Sequence, residues 1–383
     1  MTFRIAAGLG TAQTIAWAST YYLPAVSATV MAEELNVGTP LVFAGLSLAL
    51  VVAAMVGPWS GTLIDRHGGR RVMAASSLVF AGGLLALALA SDVWGMLLAW
   101  TVLGLGMGAG LYEGAFATAV RLRGLHARST ITGIALIAGF ASTVGWPAST
   151  WMIEVAGWRG ACVGWAVLHL AVCLPIHLRL PPVSAPPAPT TPPAGPSTGT
   201  QSRRLILVVL AISFAVTWFT STAMAAHLPR LLDGGGLSPA VALGCAMLVG
   251  PAQVAARIAE FTLLNRLHPL LAARLASATH SFGGLVFLAV GAPAGAIFAV
   301  LHGAGNGILT IAKGTLPLAL LGADGYGARQ GWLMAPARLG QAAAPLAMGM
   351  AIESWGVAAL WLTIALGAIG SVALLLISAP PRR

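Results

Sequence analysis

The sequence predicts an all-α membrane protein with twelve transmembrane helices in two six-helix halves. Of its 383 residues, 58% are hydrophobic and only 8% charged, whereas a soluble domain carries about a quarter charged residues. Apolar runs of the length that crosses a bilayer core, about 20 residues, recur along the whole chain. The third observation is the charge pattern: basic residues collect on every second connection between those runs.

The runs lie near 6–31, 41–61, 72–90, 94–119, 130–153 and 159–178, then 205–230, 239–263, 270–290, 293–320, 330–352 and 357–379. Helices are required because lipid offers no partner to an unpaired backbone group. The short alternating segments of a transmembrane barrel are absent. The first run is too long for a signal peptide and is followed by AEELN, so it reads as a retained helix. Between the sixth and seventh runs, LPPVSAPPAPTTPPAGPSTGTQSRR has the composition of a tether. The organisation is therefore an N-terminal half (1–178), a cytoplasmic Pro-rich linker (179–204) and a C-terminal half (205–383). Cys162, Cys173 and Cys245 fall inside spans with no ligand spacing, so no metal site, cofactor or disulfide framework is expected.

The net charge of +10 is topology and not a nucleic-acid footprint. Arg66, Arg70, Arg71, Arg121, Arg123, Arg128, Arg179, Arg203, Arg204, Arg266, Arg329, Arg382 and Arg383 share one side. The other side holds Glu33, Glu34, Asp92, Glu154, Asp233 and Glu353, with Arg159 and Arg230 as the minority. Basic connections stay in the cytoplasm, which places both termini there and the chain in the cytoplasmic (inner) membrane as a multi-pass protein.

After span two runs GTLIDRHGGRR, a dense group of charges in a chain that has few. Gly61, Leu63, Asp65, Arg66, Gly68, Arg70 and Arg71 resemble the loop signature of the major facilitator superfamily, with Gly69 departing where a basic residue is usual. The halves also rhyme: GPWSG in span two with GPAQV in span eight, and GWP in span five with AAP in span eleven. The resemblance implies the major facilitator fold, a monomeric carrier working by alternating access, with no catalysis. It further implies that Gly61, Asp65, Arg66, Gly68, Arg70 and Arg71 act in gating, Asp65 meeting the N-terminal end of the eleventh helix and nearby arginines. In that family spans 1, 4, 7 and 10 line the cavity, assisted by 2, 5, 8 and 11.

Ionisable residues inside a span are functional candidates, because each is costly to bury in lipid. Glu113, Arg257, Glu260, Lys313 and Arg338 all fall on spans the family uses as lining. At 100° per residue His302, Asn306 and Lys313 lie within about 40° on span ten, and Gln253, Arg257 and Glu260 share a face on span eight. Gln13, Trp17 and Tyr21 do the same on span one. The substrate-binding candidates are Gln13, Trp17, Tyr21, Asn306, Lys313, Arg338 and Arg257; the proton-coupling candidates are Glu113, Glu260 and His302. Plainer readings stand beside these. Arg257 and Glu260 make an internal i, i+3 ion pair, Lys313 and Glu113 a structural one, and His169, His177 and His280 on outer spans are packing residues. The glycines of GLGMGAGLYEGA allow close helix contact, since the strand and GK[ST] of a phosphate loop are missing.

Three deep cations against two deep carboxylates favour an anionic solute. Basic residues on spans eight and eleven, Arg257 and Arg338, are similar in position to those of the oxalate–formate and monocarboxylate carriers. The expected activity is secondary active transport of a small organic anion, coupled to protons, with lipid, protons and a small solute as the only partners. The alternative is a proton-driven exporter of drugs or toxic compounds, including metalloids. It keeps a partial glycine and proline pattern in GIALIAGFASTVGWP but has Trp100 where an arginine is usual. A receptor or membrane-embedded enzyme is the distant third; no nucleophile–base or ligand cluster sits at one depth.

Overall fold

The structure is a computed structural model that describes residues 2–182, 202–263 and 268–378. Most of the Pro-rich linker, with Arg266, Arg382 and Arg383, lies outside the described residues. The described chain is helical, with no strand.

In the first half, α1 (Thr2–Ser19) and α2 (Pro24–Glu34) form span one, α3 (Thr39–His67) span two and α4 (Gly69–Leu89) span three. Span four is α5 (Val93–Gly110) and α6 (Tyr112–Arg123); α7 (Arg128–Ala138), α8 (Ala141–Leu168) and α9 (Leu174–Leu178) supply spans five and six. In the second half, α10 (Arg203–Gly234) is span seven, and α11 (Pro239–Met247) with α12 (Val249–Thr262) is span eight. Then follow α13 (Pro269–Val290), α14 (Gly295–Leu321), α15 (Tyr326–Trp355) and α16 (Leu360–Leu375).

Among the described residues, eight helical stretches are long and apolar enough to cross a membrane. Val93–Leu178, at 86 residues, holds three crossings and Tyr326–Leu375, at 50, holds two. With the broken span one, twelve crossings result. Within α8 the chain reverses at Gly157, whose φ of 70° and ψ of 174° no helix contains; a positive φ is strain-free only without a side chain.

Several spans read as single helices are interrupted. Span one opens between Ser19 and Pro24, since Pro24 has no N–H to give the Thr20 carbonyl. Pro251 likewise cannot donate to Met247, and span eight divides there. In span four Leu111 is extended, with ψ −165°. Lipid tolerates such breaks only where a neighbour satisfies the freed groups. Gln13, on α1, does so, its Nε2 donating to the Gly110 carbonyl at 2.6 Å.

By packing the chain forms two compact units, Met1–Thr191 with Ala323–Ala335, and Pro192–Gly322 with Pro336–Arg383. The division inside α15 falls at Pro336, which interrupts the helix ladder. In the first unit α5 lies close to both α3 and α4. A Cβ on Gly104 would stand 2.7 Å from the Ala49 carbonyl oxygen, and one on Gly108 3.0 Å from that of Ala53. Gly106 and Gly110 meet Phe80 and Ser76 of α4, so these glycines serve helix contact. The second unit repeats the device: Gly303 and Gly307 of α14 approach the Val249 and Gln253 carbonyl oxygens, each within 2.5 Å of an added Cβ. Its apolar core gathers Met224, Leu228, Phe287, Phe298, Met348 and Ile364.

The three cysteines are free thiols, and no group of metal-ligating residues occurs among the described residues. On the acidic side, Arg159 is held by Glu34 at 3.1 Å, by the Ala90 carbonyl at 2.8 Å and by the ring of Trp158. Trp158 donates to Glu34 as well. These contacts account for an arginine on that side.

Candidate functional site

The charged turn after span two is built around Asp65. Its two carboxylate oxygens accept the backbone N–H groups of Gly327 and Ala328, each at 2.8 Å. These are orphan donors at the start of α15, where the helix dipole also favours negative charge. Arg121 donates from Nε to the Asp65 carbonyl at 3.1 Å, and Arg329 donates to the Asp324 carbonyl at 2.6 Å. The approach depends on glycine on both sides: a Cβ on Gly61 would stand 2.1 Å from the Gly327 oxygen, and one on Gly331 2.5 Å from the Gly57 oxygen. Gly68 turns the chain with φ 80°. Gly69 has its reason here too, for a Cβ would strike Thr118 of α6 at 1.9 Å. Arg66, Arg70 and Arg71 are exposed and stand outside this knot. The sequence pointed to Asp65 but not to Gly327 and Ala328.

A second constellation lies in the first half. Gln13 is fully buried and committed to Gly110 through its nitrogen, while its Oε1 has no hydrogen-bond partner among the described residues. Trp17 and Tyr21 stay in ring contact at 5.4 Å, although Tyr21 falls in the break after α1 and not on its helical face. Tyr112 joins them, 5.2 Å from Trp17. Glu113 is buried in the first turn of α6, immediately after the span-four break. Trp100 is buried, and a Cβ on Gly45 of α3 would meet its ring at 2.3 Å.

The third constellation belongs to the second half, where Arg257, Glu260, Lys313 and Arg338 are all buried. Arg257 reaches Gln253 on its own helix and the Thr310 hydroxyl on α14, both at 3.4 Å. One turn beyond Thr310, the Lys313 ammonium stands 4.4 Å from the centre of the Trp218 ring on α10, a cation–π contact. Arg338 donates to Gln341 at 3.4 Å, and Gln341 donates to Thr222, one turn along α10 from Trp218. Three cations on α12, α14 and α15 thus reach α10 and α14 within a turn of one another. Trp218, Thr222, Thr310 and Gln341 escaped the sequence reading; for Thr310 and Gln341 a spacing of three residues from Lys313 and Arg338 was the available signal, whereas Trp218 and Thr222 stand on another helix. Asn306 is buried, with Oδ1 unpartnered among the described residues.

His302 shares the stripe of Lys313 but turns to another neighbour, its Nδ1 lying 3.0 Å from Nδ1 of His280 on α13. His169 contacts the Ser19 hydroxyl at 2.9 Å and His177 that of Ser77 at 2.8 Å. All three outer-span histidines are buried in packed pairs.

Residues 9–312 match the Major Facilitator Superfamily. The chain belongs to that superfamily. This transporter is 26% identical over 244 residues to the 3-(3-hydroxy-phenyl)propionate transporter of Escherichia coli strain K12, covering 60% of this chain and 56% of that one. The match thus spans little more than half the length of that relative. Solved structures share its fold over nearly the whole chain. The human organic anion transporter MFSD10 superposes with a TM-score of 0.75 at 14% identity, covering 98% of this chain and 99% of the other. The transporter FucP in its outward conformation gives 0.77 at 12%, covering 99% and 100%. The proton:xylose symporter XylE gives 0.72 at 13%, covering 98% and 94%. The protein is accordingly a multi-pass membrane transporter of the twelve-helix, two-half fold.

Proposed function

We propose that this transporter carries a small organic carboxylate by alternating access, with proton coupling. The observation that carries the reading is that three cations, Arg257, Lys313 and Arg338, and one carboxylate, Glu260, are buried in the second half. A cationic site of low dielectric attracts an anion. The likeness to a transporter of an arylpropionate supports the same class of solute. Arg257, Lys313 and Arg338 receive the carboxylate, and Asn306 contributes a polar group. Glu113 carries the coupled proton, with Glu260 and His302 next in line. Asp65, Gly61 and Gly68 hold the gate, and Arg66, Arg70 and Arg71 place its loop on the cytoplasmic side. The protein works as a monomer in the cytoplasmic membrane with both termini inside. The halves 1–178 and 205–383 move as the two arms, joined by the linker 179–204.

The test is substrate-dependent counterflow in proteoliposomes. Vesicles preloaded with 3-phenylpropionate should accumulate the labelled compound transiently, and Arg338→Gln or Lys313→Gln should lower that exchange at least tenfold. Exchange of amphiphilic cations, with no carboxylate exchange, would instead establish the second reading, a proton-driven exporter. That reading draws on Pro147 in α8 and on Gly145, which packs against Ala18.

A further inference from the structure

We propose that His227 binds a proton at Nδ1, and that this proton tightens the cationic site of the second half on its solute, so that affinity rises as pH falls. The inference rests on the carboxylate reading above and adds its regulation. The proton is additional to the one assigned to Glu113.

His227 lies on α10, eight residues before its C-cap Gly235, or about 12 Å inside that end. Its Nε2 stands 2.8 Å from the carbonyl oxygen of Pro345 on α15. A carbonyl can only accept, so this contact fixes one proton on Nε2 and leaves the Nδ1 lone pair for a second. The ring lies over Gly349, where a Cβ would stand 3.6 Å from Cε1 and 3.7 Å from Nε2, so no side chain intervenes. Taking up a proton keeps this arrangement intact, because the bond to Pro345 becomes charge-assisted and strengthens.

The other histidines inside spans are built differently. His280 and His302 face each other through Nδ1, and His169 and His177 face hydroxyl groups. The remaining nitrogens of His169, His177 and His280 are buried with no hydrogen-bond partner, so a second proton has no access to them. His227 is only half-buried. Its Nδ1 makes no hydrogen bond among the described residues, yet it is not one of the sealed atoms. An ionisable side chain inside a span with one ring edge anchored and the other open is a functional candidate.

Its height along the helix ties His227 to the solute site. Gln341 donates to Thr222 and His227 donates to Pro345, pairs 119 and 118 positions apart. Here α10 and α15 therefore run side by side in one register, and His227 stands five residues, about 7.5 Å, beyond Thr222. Gln341 also accepts from Arg338, and Trp218, one turn before Thr222, carries Lys313 over its ring. An imidazolium at His227 adds a cation beside those already there, and at that range it changes anion affinity by roughly tenfold. The other charges on these two helices near His227 are Arg230 and Asp233 on α10 and Glu353 on α15, all three exposed. Of the elements packed against α10, α14 brings His302 and Lys313, both turned to other partners. Neither α11, α16 nor the turn 356–359 carries an ionisable group.

The experiment measures equilibrium binding of 3-phenylpropionate to purified transporter at about pH 8.5 and about pH 6, a range in which imidazole changes charge and the probe does not. The wild type should bind about tenfold more tightly at the lower pH. His227→Gln keeps a donor for Pro345 but takes no proton, and should bind at the weaker level at both. His227→Arg carries a fixed charge and should bind at the tighter level at both. A pH dependence that survives in His227→Gln, or in His227→Arg should the glutamine variant not fold, overturns the proposal. So does a wild type whose affinity ignores pH, and the carboxylate reading then stands. A wild type that binds the probe at neither pH overturns the carboxylate reading, and the coupling with it. The proton site is read separately, by 15N-histidine NMR of the solute-free protein. One imidazole should gain a proton at Nδ1 with Nε2 protonated throughout, and its signal should be absent from His227→Gln; persistence of that signal in the variant overturns the site.

Discussion

Asp65 concentrates the chemistry of the charged turn in one side chain. Both its oxygens are used on consecutive backbone N–H groups at the start of α15, so the carboxylate acts as a helix cap supplied from another span. Asp65→Asn keeps the size but turns one acceptor into a donor facing an N–H group. Loss of one charge-assisted bond, about 1.5–3 kcal/mol, should slow transport about tenfold while equilibrium solute binding stays within a few-fold. Counterflow rate and binding measured on the same preparation check this, and a large loss of binding with unchanged rate would assign Asp65 to recognition. Glu113 answers to a different measurement. Glu113→Gln removes the titrating group without changing its shape, so accumulation driven by a pH gradient should disappear while downhill exchange persists. Continued accumulation would move the proton to Glu260 or His302.

At the level of elements, glycine rows decide how closely the helices approach. Gly104 sits against the backbone of Ala49, with an added Cβ 2.7 Å from its oxygen and 2.9 Å from its Cα. Backbone cannot rotate away, so Gly104→Ala must push α5 off α3, an overpacking penalty of about 1–3 kcal/mol. Gly82 on α4 faces open space, and Gly82→Ala should be neutral or stabilising by up to about 1 kcal/mol through helix propensity. Melting of detergent-purified protein should therefore fall for the first variant and hold or rise for the second. The glycine-rich run was legible as a contact surface because small residues four apart share a helix face. Which neighbour each row met was not legible: Gly104 and Gly108 serve α3, while Gly106 and Gly110 serve α4.

Over the whole molecule the two halves repeat one plan. Ala49 and Ala53, which receive Gly104 and Gly108, have counterparts 200 positions later in Val249 and Gln253, which receive Gly303 and Gly307. Faint sequence rhymes thus become a repeated helix contact, as parallel repeats in this superfamily require. The distribution of arginine predicts the orientation in the membrane, and that prediction can be tested by labelling. A cysteine at Leu125, an exposed position in the basic LRGLHAR connection, should react with impermeant maleimide only from the cytoplasmic side. One at Asn36, in the acidic connection, should react only from outside; the reverse pattern would invert the topology.

The sequence alone determined the spans, the halves, the side on which charge collects and the ionisable residues inside helices. These are local consequences of lipid, which demands long apolar helices and makes each buried charge conspicuous. Tertiary structure decided what those residues touch. Asp65 finds its partners 262 and 263 positions away, and Gln13 closes a break 97 positions away. Lys313 and His302 occupy one stripe of α14 yet turn to Trp218 and His280 on different helices. Helical periodicity states which direction a side chain leaves its axis, but only the packing of neighbouring axes states what stands there.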